Sequence, residues 1–138
     1  MRVLGLDVGS KTIGIAVSDA LKLTAQGITT LQFDEDDMSS ADQALQEIID
    51  EYEISHIIVG YPKNMNGTVG RRGEITKIYA NRLERKFQLP VQLIDERLST
   101  VSAERTLIEA DVSRKGRKKV IDKIAAVVIL QSYLDQTN

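Results

Sequence analysis

Two short apolar segments near the start of the chain, Val3-Leu4-Gly5-Leu6 and Ile13-Gly14-Ile15-Ala16-Val17, constrain the fold more than any other feature. Both are rich in branched residues and bounded by Gly, Ser or Asp, a pattern that reads as strand. The linker between them, Val8-Gly9-Ser10-Lys11-Thr12, is short enough for an antiparallel hairpin. A third strand is predicted within 27–33. Ser39 or Ser40 is placed to cap a helix over 41–52, with Ala41, Ala44, Leu45, Ile48 and Ile49 on its inner face. His56-Ile57-Ile58-Val59 reads as a buried strand ended by Gly60 and Pro62. Residues 71–87 read as a helix with Ile75, Ile78, Tyr79, Arg82 and Leu83 on one side. Val91-Gln92-Leu93-Ile94 is a fifth strand, entered through Pro90, and two last helices are predicted over 100–110 and 119–135.

A three-stranded meander followed by strand–helix–strand units predicts an α/β sheet with helices on its faces. Right-handed crossovers place the fourth and fifth strands beside the first, which gives the order 3-2-1-4-5. Strand 1 is then central. Asp7 stands at its carboxyl end, where open α/β sheets place their ligands. The 138 residues amount to one domain, 1–138, with no repeat or linker.

Composition removes several classes of chemistry. The absence of cysteine excludes a disulfide scaffold, a thiolate nucleophile and a Cys-ligated zinc site. The single histidine, His56, excludes a His-pair metal site and reads as structural. No apolar run approaches the ~18 residues that span a membrane, and the N-terminus lacks a signal-peptide pattern. The expectation is a soluble cytoplasmic protein with no membrane partner. The net charge of −2 conceals an asymmetry: 34–53 holds nine acids and no base, leaving 11 acids against 18 bases elsewhere. A basic body with one acidic flank suits a polyanion on one side.

Three carboxylate positions carry chemistry. Asp7 interrupts an apolar strand, and Gly9 after it permits close approach of a backbone or phosphate. Asp95-Glu96-Arg97 follows the fifth strand, and periodicity does not choose between its two acids. Asp122 lies one turn into a helix that is apolar nearly all round. Three carboxylates from distant segments suit a two-metal phosphodiesterase using Mg²⁺ or Mn²⁺, hard ions satisfied by oxygen ligands. Gly5–Thr12 nearly spells a GxxxxGK[ST] phosphate loop, but Ser10 replaces the second glycine and a strand, not a helix, follows. The strand–turn–strand with an aspartate is nearer to the first phosphate loop of actin-like ATPases, which need two such domains. The acidic run 34–37 lacks EF-hand spacing and reads as a solvated loop. The loop 60–68 carries Lys63 and Asn64, and 113–119 packs Arg114, Lys115, Arg117, Lys118 and Lys119 around Gly116 as a flexible basic loop for nucleic acid. Lys11, Arg71 and Arg97 complete the candidate nucleic-acid contacts. Few aromatics means recognition through backbone and shape, not base stacking.

GLDVGSKTIGIAVSD at 5–19, VGYPKNMNG at 59–67, DERLST at 95–100 and KKVIDKIAAVVILQSYLD at 118–135 together resemble the YqgF family, also called RuvX. The resemblance covers essentially the whole chain, with four motifs in order. It implies an RNase H-like fold and a nuclease that processes the 5′ end of pre-16S ribosomal RNA in ribosome biogenesis. The alternatives are a Holliday junction resolvase acting on DNA and a non-catalytic ribosomal RNA assembly factor. It also implies that Asp7, Glu96 and Asp122 form the acidic, metal-holding site. The sequence fixes no oligomeric state; a monomer or weak dimer is the expectation.

Overall fold

The computed structural model of the protein describes residues 2–9, 11–61, 70–95 and 114–137. Five strands form one sheet: β1 (Arg2–Val8), β2 (Thr12–Ser18), β3 (Ala25–Gln32), β4 (Ile54–Tyr61) and β5 (Val91–Asp95). Their order is β3-β2-β1-β4-β5, as the sequence predicts. β1 pairs antiparallel with β2 and parallel with β4, so the sheet is mixed. Helices α1 (Asp42–Tyr52), α2 (Arg71–Phe87) and α3 (Arg114–Thr137) complete the described elements. The predicted helix over 100–110 lies outside the described residues.

The sheet is covered on both faces, which is why β1 and β2 read as continuous apolar runs and not as alternating ones. On one face Leu4, Leu6, Ile13, Ile15, Ile57 and Val59 pack with Leu45 and Ile49 of α1 and Tyr79 and Leu83 of α2. On the other, Val3, Ala16, Ile58 and Ile94 pack with Ala125, Ala126, Ile129, Leu130 and Leu134 of α3.

Three local expectations are corrected. Neither Ser39 nor Ser40 caps α1; its N-cap is Ala41, with no side-chain cap bond. The two serines stabilise the preceding acidic loop instead. The Asp34 amide donates to Ser40 Oγ at 2.9 Å, and Ser39 Oγ donates to Asp37 Oδ1 at 2.6 Å. Second, Ile78 is 57% exposed. The buried stripe of α2 is Gly73, Thr76, Tyr79, Ala80 and Leu83. Small residues let the helix lie close to the sheet, and Thr76 Oγ1 satisfies itself on the Arg72 carbonyl at 2.8 Å. Third, α3 begins at Arg114, five residues before the predicted start. The basic segment is therefore helical and not a flexible loop.

Two ties hold the helices in place. Arg82 of α2 grips Asp42 at the start of α1 through two bonds of 2.7 and 2.6 Å. At the far end of the sheet, His56 Nε2 and Tyr133 Oη of α3 share a 3.0 Å hydrogen bond. Burial, then the charge of Lys22, holds the His56 imidazole below its ordinary pKa. His56 is structural here, as its sequence context indicates.

Candidate active site at the carboxyl end of the central strand

Asp7 is the next-to-last residue of β1 and only 6% exposed. The alternation of β1 decides its face. Leu4, Leu6 and Val8 pack toward α1 and α2, and Val3 packs toward α3. Residues 3, 5 and 7 therefore share the α3 face. In β2, Asp7 pairs with Gly14. In β4, Gly60 stands one residue past the Leu6↔Val59 pair. The in-register neighbour of Asp7 in β2 is therefore a glycine.

The course of α3 follows from its contacts. A Cβ on Gly5 would stand 2.7 Å from Leu130 Cβ and 3.3 Å from the Ala126 carbonyl oxygen, so Ala126 and Leu130 cross β1 there. The helix's later residues lie toward the start of β1, where Tyr133 meets His56, the partner of Val3. α3 thus runs antiparallel to β1. Four residues back from Ala126 is a rise of ~6 Å along the helix. Two residues on from Gly5 is ~6.7 Å along the strand. Position 122, one turn before Ala126, therefore lies from this crossing toward the carboxyl end of β1, as Asp7 does, with 115 and 119 on the same helical stripe as 122, 126 and 130.

Glu96, Arg97, Lys63 and Asn64 lie outside the described residues, as do the side chains of Asp95, Asp122 and the basic residues of 114–119. Among the described residues, no three acidic or imidazole groups cluster as a metal centre. The parity of β5 is nevertheless defined. Ile94 packs with α3, and Val91 and Leu93 pack on the opposite face.

Lys11 is exposed in the β1–β2 turn, with its carbonyl bound by the Phe33 amide at 2.9 Å. The turn itself is closed by the Gly9 amide donating to the Thr12 carbonyl at 2.8 Å. Arg71 opens α2 and is 82% exposed, with Nη2 4.0 Å from Glu35 Oε1. Its neighbour Arg72 is engaged inward, on Glu35 and on the Val8 carbonyl at 3.2 Å. Thr12 was not singled out by sequence reasoning. It is buried, and the alternation with Ala16 puts it on the α3 face beside Asp7. Its parity with Gly14, the register partner of Asp7, and not its residue type, is the signal that finds it. A depression of about 450 Å³ between Ile78, Arg82, Arg85 and Lys86 lies on α2, across the sheet from Asp7.

A 3-2-1-4-5 mixed sheet with a carboxylate ending its central strand and a C-terminal helix laid over it defines an RNase H-like fold. Solved structures share that architecture. T. thermophilus RuvC in complex with a Holliday junction substrate superposes with a TM-score of 0.58 at 12% identity, covering 99% of this chain and 96% of that one. The fowlpox virus Holliday junction resolvase superposes at 0.59 with 16% identity, covering both chains completely. The family described as "RuvX: Holliday junction resolvase" matches residues 1–136, and the chain belongs to it. An Oceanobacillus iheyensis protein named "Putative pre-16S rRNA nuclease" is 65% identical over 136 residues, 99% of each chain.

Proposed function

We propose that the protein is a metal-dependent endonuclease that hydrolyses phosphodiester bonds near the 5′ end of precursor 16S ribosomal RNA, in the cytoplasm. The observation that carries this reading is Asp7: a buried carboxylate at the end of the central strand, paired with Gly14, on the face that α3 covers. The name borne by the Oceanobacillus iheyensis relative supports the RNA substrate.

The residues fit a hard divalent cation, Mg²⁺ or Mn²⁺, because all three candidate donors are carboxylates and the flanking glycines leave room for water. Asp7, Glu96 and Asp122 would hold it. The choice of Glu96 over Asp95 rests on the DERLST motif at 95–100 and the family to which the chain belongs. Bound there, the cation supplies an activated water and stabilises the leaving oxygen. The chain's own residues bind and orient the substrate. Lys11 and Arg71, exposed at the same end of the sheet, meet backbone phosphates, joined by Lys63, Asn64, Arg97 and the basic turns of α3. Burial of Asp7 keeps bulk water from its carboxylate and fixes its orientation.

The test is cleavage of precursor 16S RNA and of a four-way DNA junction by purified protein and Asp7→Asn, each with and without Mn²⁺. RNA cleavage that needs the metal and disappears in Asp7→Asn supports the proposal. Preferential cutting of the junction makes the protein a DNA resolvase. Tight RNA binding with no cleavage under any metal makes it a binding factor.

A further inference from the structure

The geometry points to Arg72 as a positioning residue that, braced by Glu35, fixes the end of β1 and so the placement of Asp7. This inference rests on the reading of Asp7 as a metal-holding carboxylate. Arg72 is the second residue of α2, on the sheet face opposite α3. One of its guanidinium nitrogens bonds Glu35, and the other donates to the Val8 carbonyl at 3.2 Å. Val8 is joined to Asp7 by a peptide bond. The pairing of β1 with β4 runs to Leu6↔Val59, two residues short of Val8. Val8 remains paired with Ile13 of β2, and from the α2 side Arg72 adds a hold on its carbonyl.

The choice of side chain fits this task. A guanidinium is a rigid planar fork that engages a carboxylate and a carbonyl at once, whereas an ammonium is a point charge. The side chain of Glu35 is 22% exposed and that of Arg72 38% exposed, against 82% for Arg71. The adjacent arginines are thus divided. Arg71 faces outward where a phosphate can reach it, and Arg72 has its charge offset by Glu35.

The alternative, Arg72 as a phosphate ligand, predicts a different response to substitution. If Arg72 served substrate, Arg72→Met would raise KM for RNA and leave the strand end and Mn²⁺ binding unchanged. If Arg72 positions Asp7, Glu35→Gln loosens the strand end.

The experiment compares wild type, Arg72→Met, Arg72→Lys and Glu35→Gln, with Asp7→Asn as the control on the site itself. Amide hydrogen exchange at Val8 and Gly9 is measured without metal, Mn²⁺ binding by calorimetry, and cleavage across Mn²⁺ concentrations. Arg72→Met and Glu35→Gln should both speed Gly9 exchange about tenfold while the thermal midpoint stays near wild type. The half-saturating Mn²⁺ concentration should rise about tenfold, as for other residues that orient metal ligands, with KM for RNA little changed. Arg72→Lys should behave as Arg72→Met does, because charge without the fork does not restore the bridge; it also carries the test if the methionine variant fails to fold. Unchanged Gly9 exchange, or a higher KM for RNA in Arg72→Met with Mn²⁺ binding intact, overturns the proposal. If Asp7→Asn binds Mn²⁺ like wild type, the metal reading fails separately, while faster Gly9 exchange in the Arg72 variants still supports the brace.

Discussion

Gly5 of β1 lies directly beneath Leu130 of α3: a Cβ on residue 5 would stand 2.7 Å from the Leu130 Cβ. The obstacle is a Cβ and not the tip of a flexible chain, so it cannot swing aside. Gly5→Ala should therefore lift α3 from the sheet and cost roughly 1–3 kcal/mol, as overpacking does. Leu130→Ala keeps the offending atom and should not rescue it. Chemical denaturation of both single variants and the double variant checks this; a neutral Gly5→Ala would show that α3 sits further from β1.

Asp95, the last residue of β5, and Glu96, which follows it, should separate by role. Glu96→Gln should lose most of the metal-dependent cleavage, a change of about a hundredfold or more, with little change in thermal midpoint. Asp95→Asn should cost stability first and activity second. Turnover and midpoint at several Mn²⁺ concentrations decide it, and an inactive but stable Asp95→Asn beside an active Glu96→Gln reverses the assignment.

The helical start of α3 sorts its basic residues. Positions 115 and 119 share a stripe with 122, and 114 and 117 do not. Lys115→Gln with Lys119→Gln should flatten the slope of log affinity against log salt by about 1.4 on single strands and about 1.8 on duplex. Arg114→Gln with Arg117→Gln should change it less. Equal effects would mean that the segment engages nucleic acid from all sides.

Tyr79 packs against Phe33 with ring centroids 4.9 Å apart, and its buried hydroxyl finds no hydrogen-bond partner among the described residues. Burial, reinforced by the nearby Asp42 charge, drives its phenol pKa upward and keeps it neutral. Removing an unsatisfied hydroxyl relieves a desolvation cost of about 1–3 kcal/mol. Tyr79→Phe should thus melt at or above the wild-type temperature; a clear drop would reveal a bond to the hydroxyl.

The His56 imidazole titrates below its ordinary value because burial, and then Lys22, disfavours the cation. The unfolded chain then binds the proton more readily, so stability rises with pH across this window. The contribution is complete above about pH 6.5 and is lost as pH falls through the lowered folded value. The thermal midpoint of wild type should fall further between pH 7.5 and 5 than that of His56→Gln. Parallel falls would remove His56 from the acid response.

Strand order was legible because each strand is an apolar run bounded by Gly, Asp or Pro, and crossover handedness does the rest. Which face each residue occupies was not, since strands covered on both sides show no alternation; only the packing of Val3 and Ile94 against α3 reveals it. The start of α3 was hidden because Gly116 and five bases look like a loop. The stripe of α2 was misjudged because Gly73, Thr76 and Ala80 contribute closeness, not hydrophobicity. Asp7 was visible as a charge in an apolar strand. Its brace was not, because Arg72 and Glu35 are 37 residues apart and nothing local joins them.

That α3 closes the face of β1 has a consequence for synthesis. The first strand leaves the ribosome earliest and the helix that covers it leaves last. Until then Val3, Ala16 and Ile58 present an open apolar surface while α1 and α2 already shield the other side. A nascent or prematurely terminated chain is thus a half-roofed sheet, sticky and without Asp122. Until α3 emerges, such a chain lacks the position proposed to face Asp7 across the site.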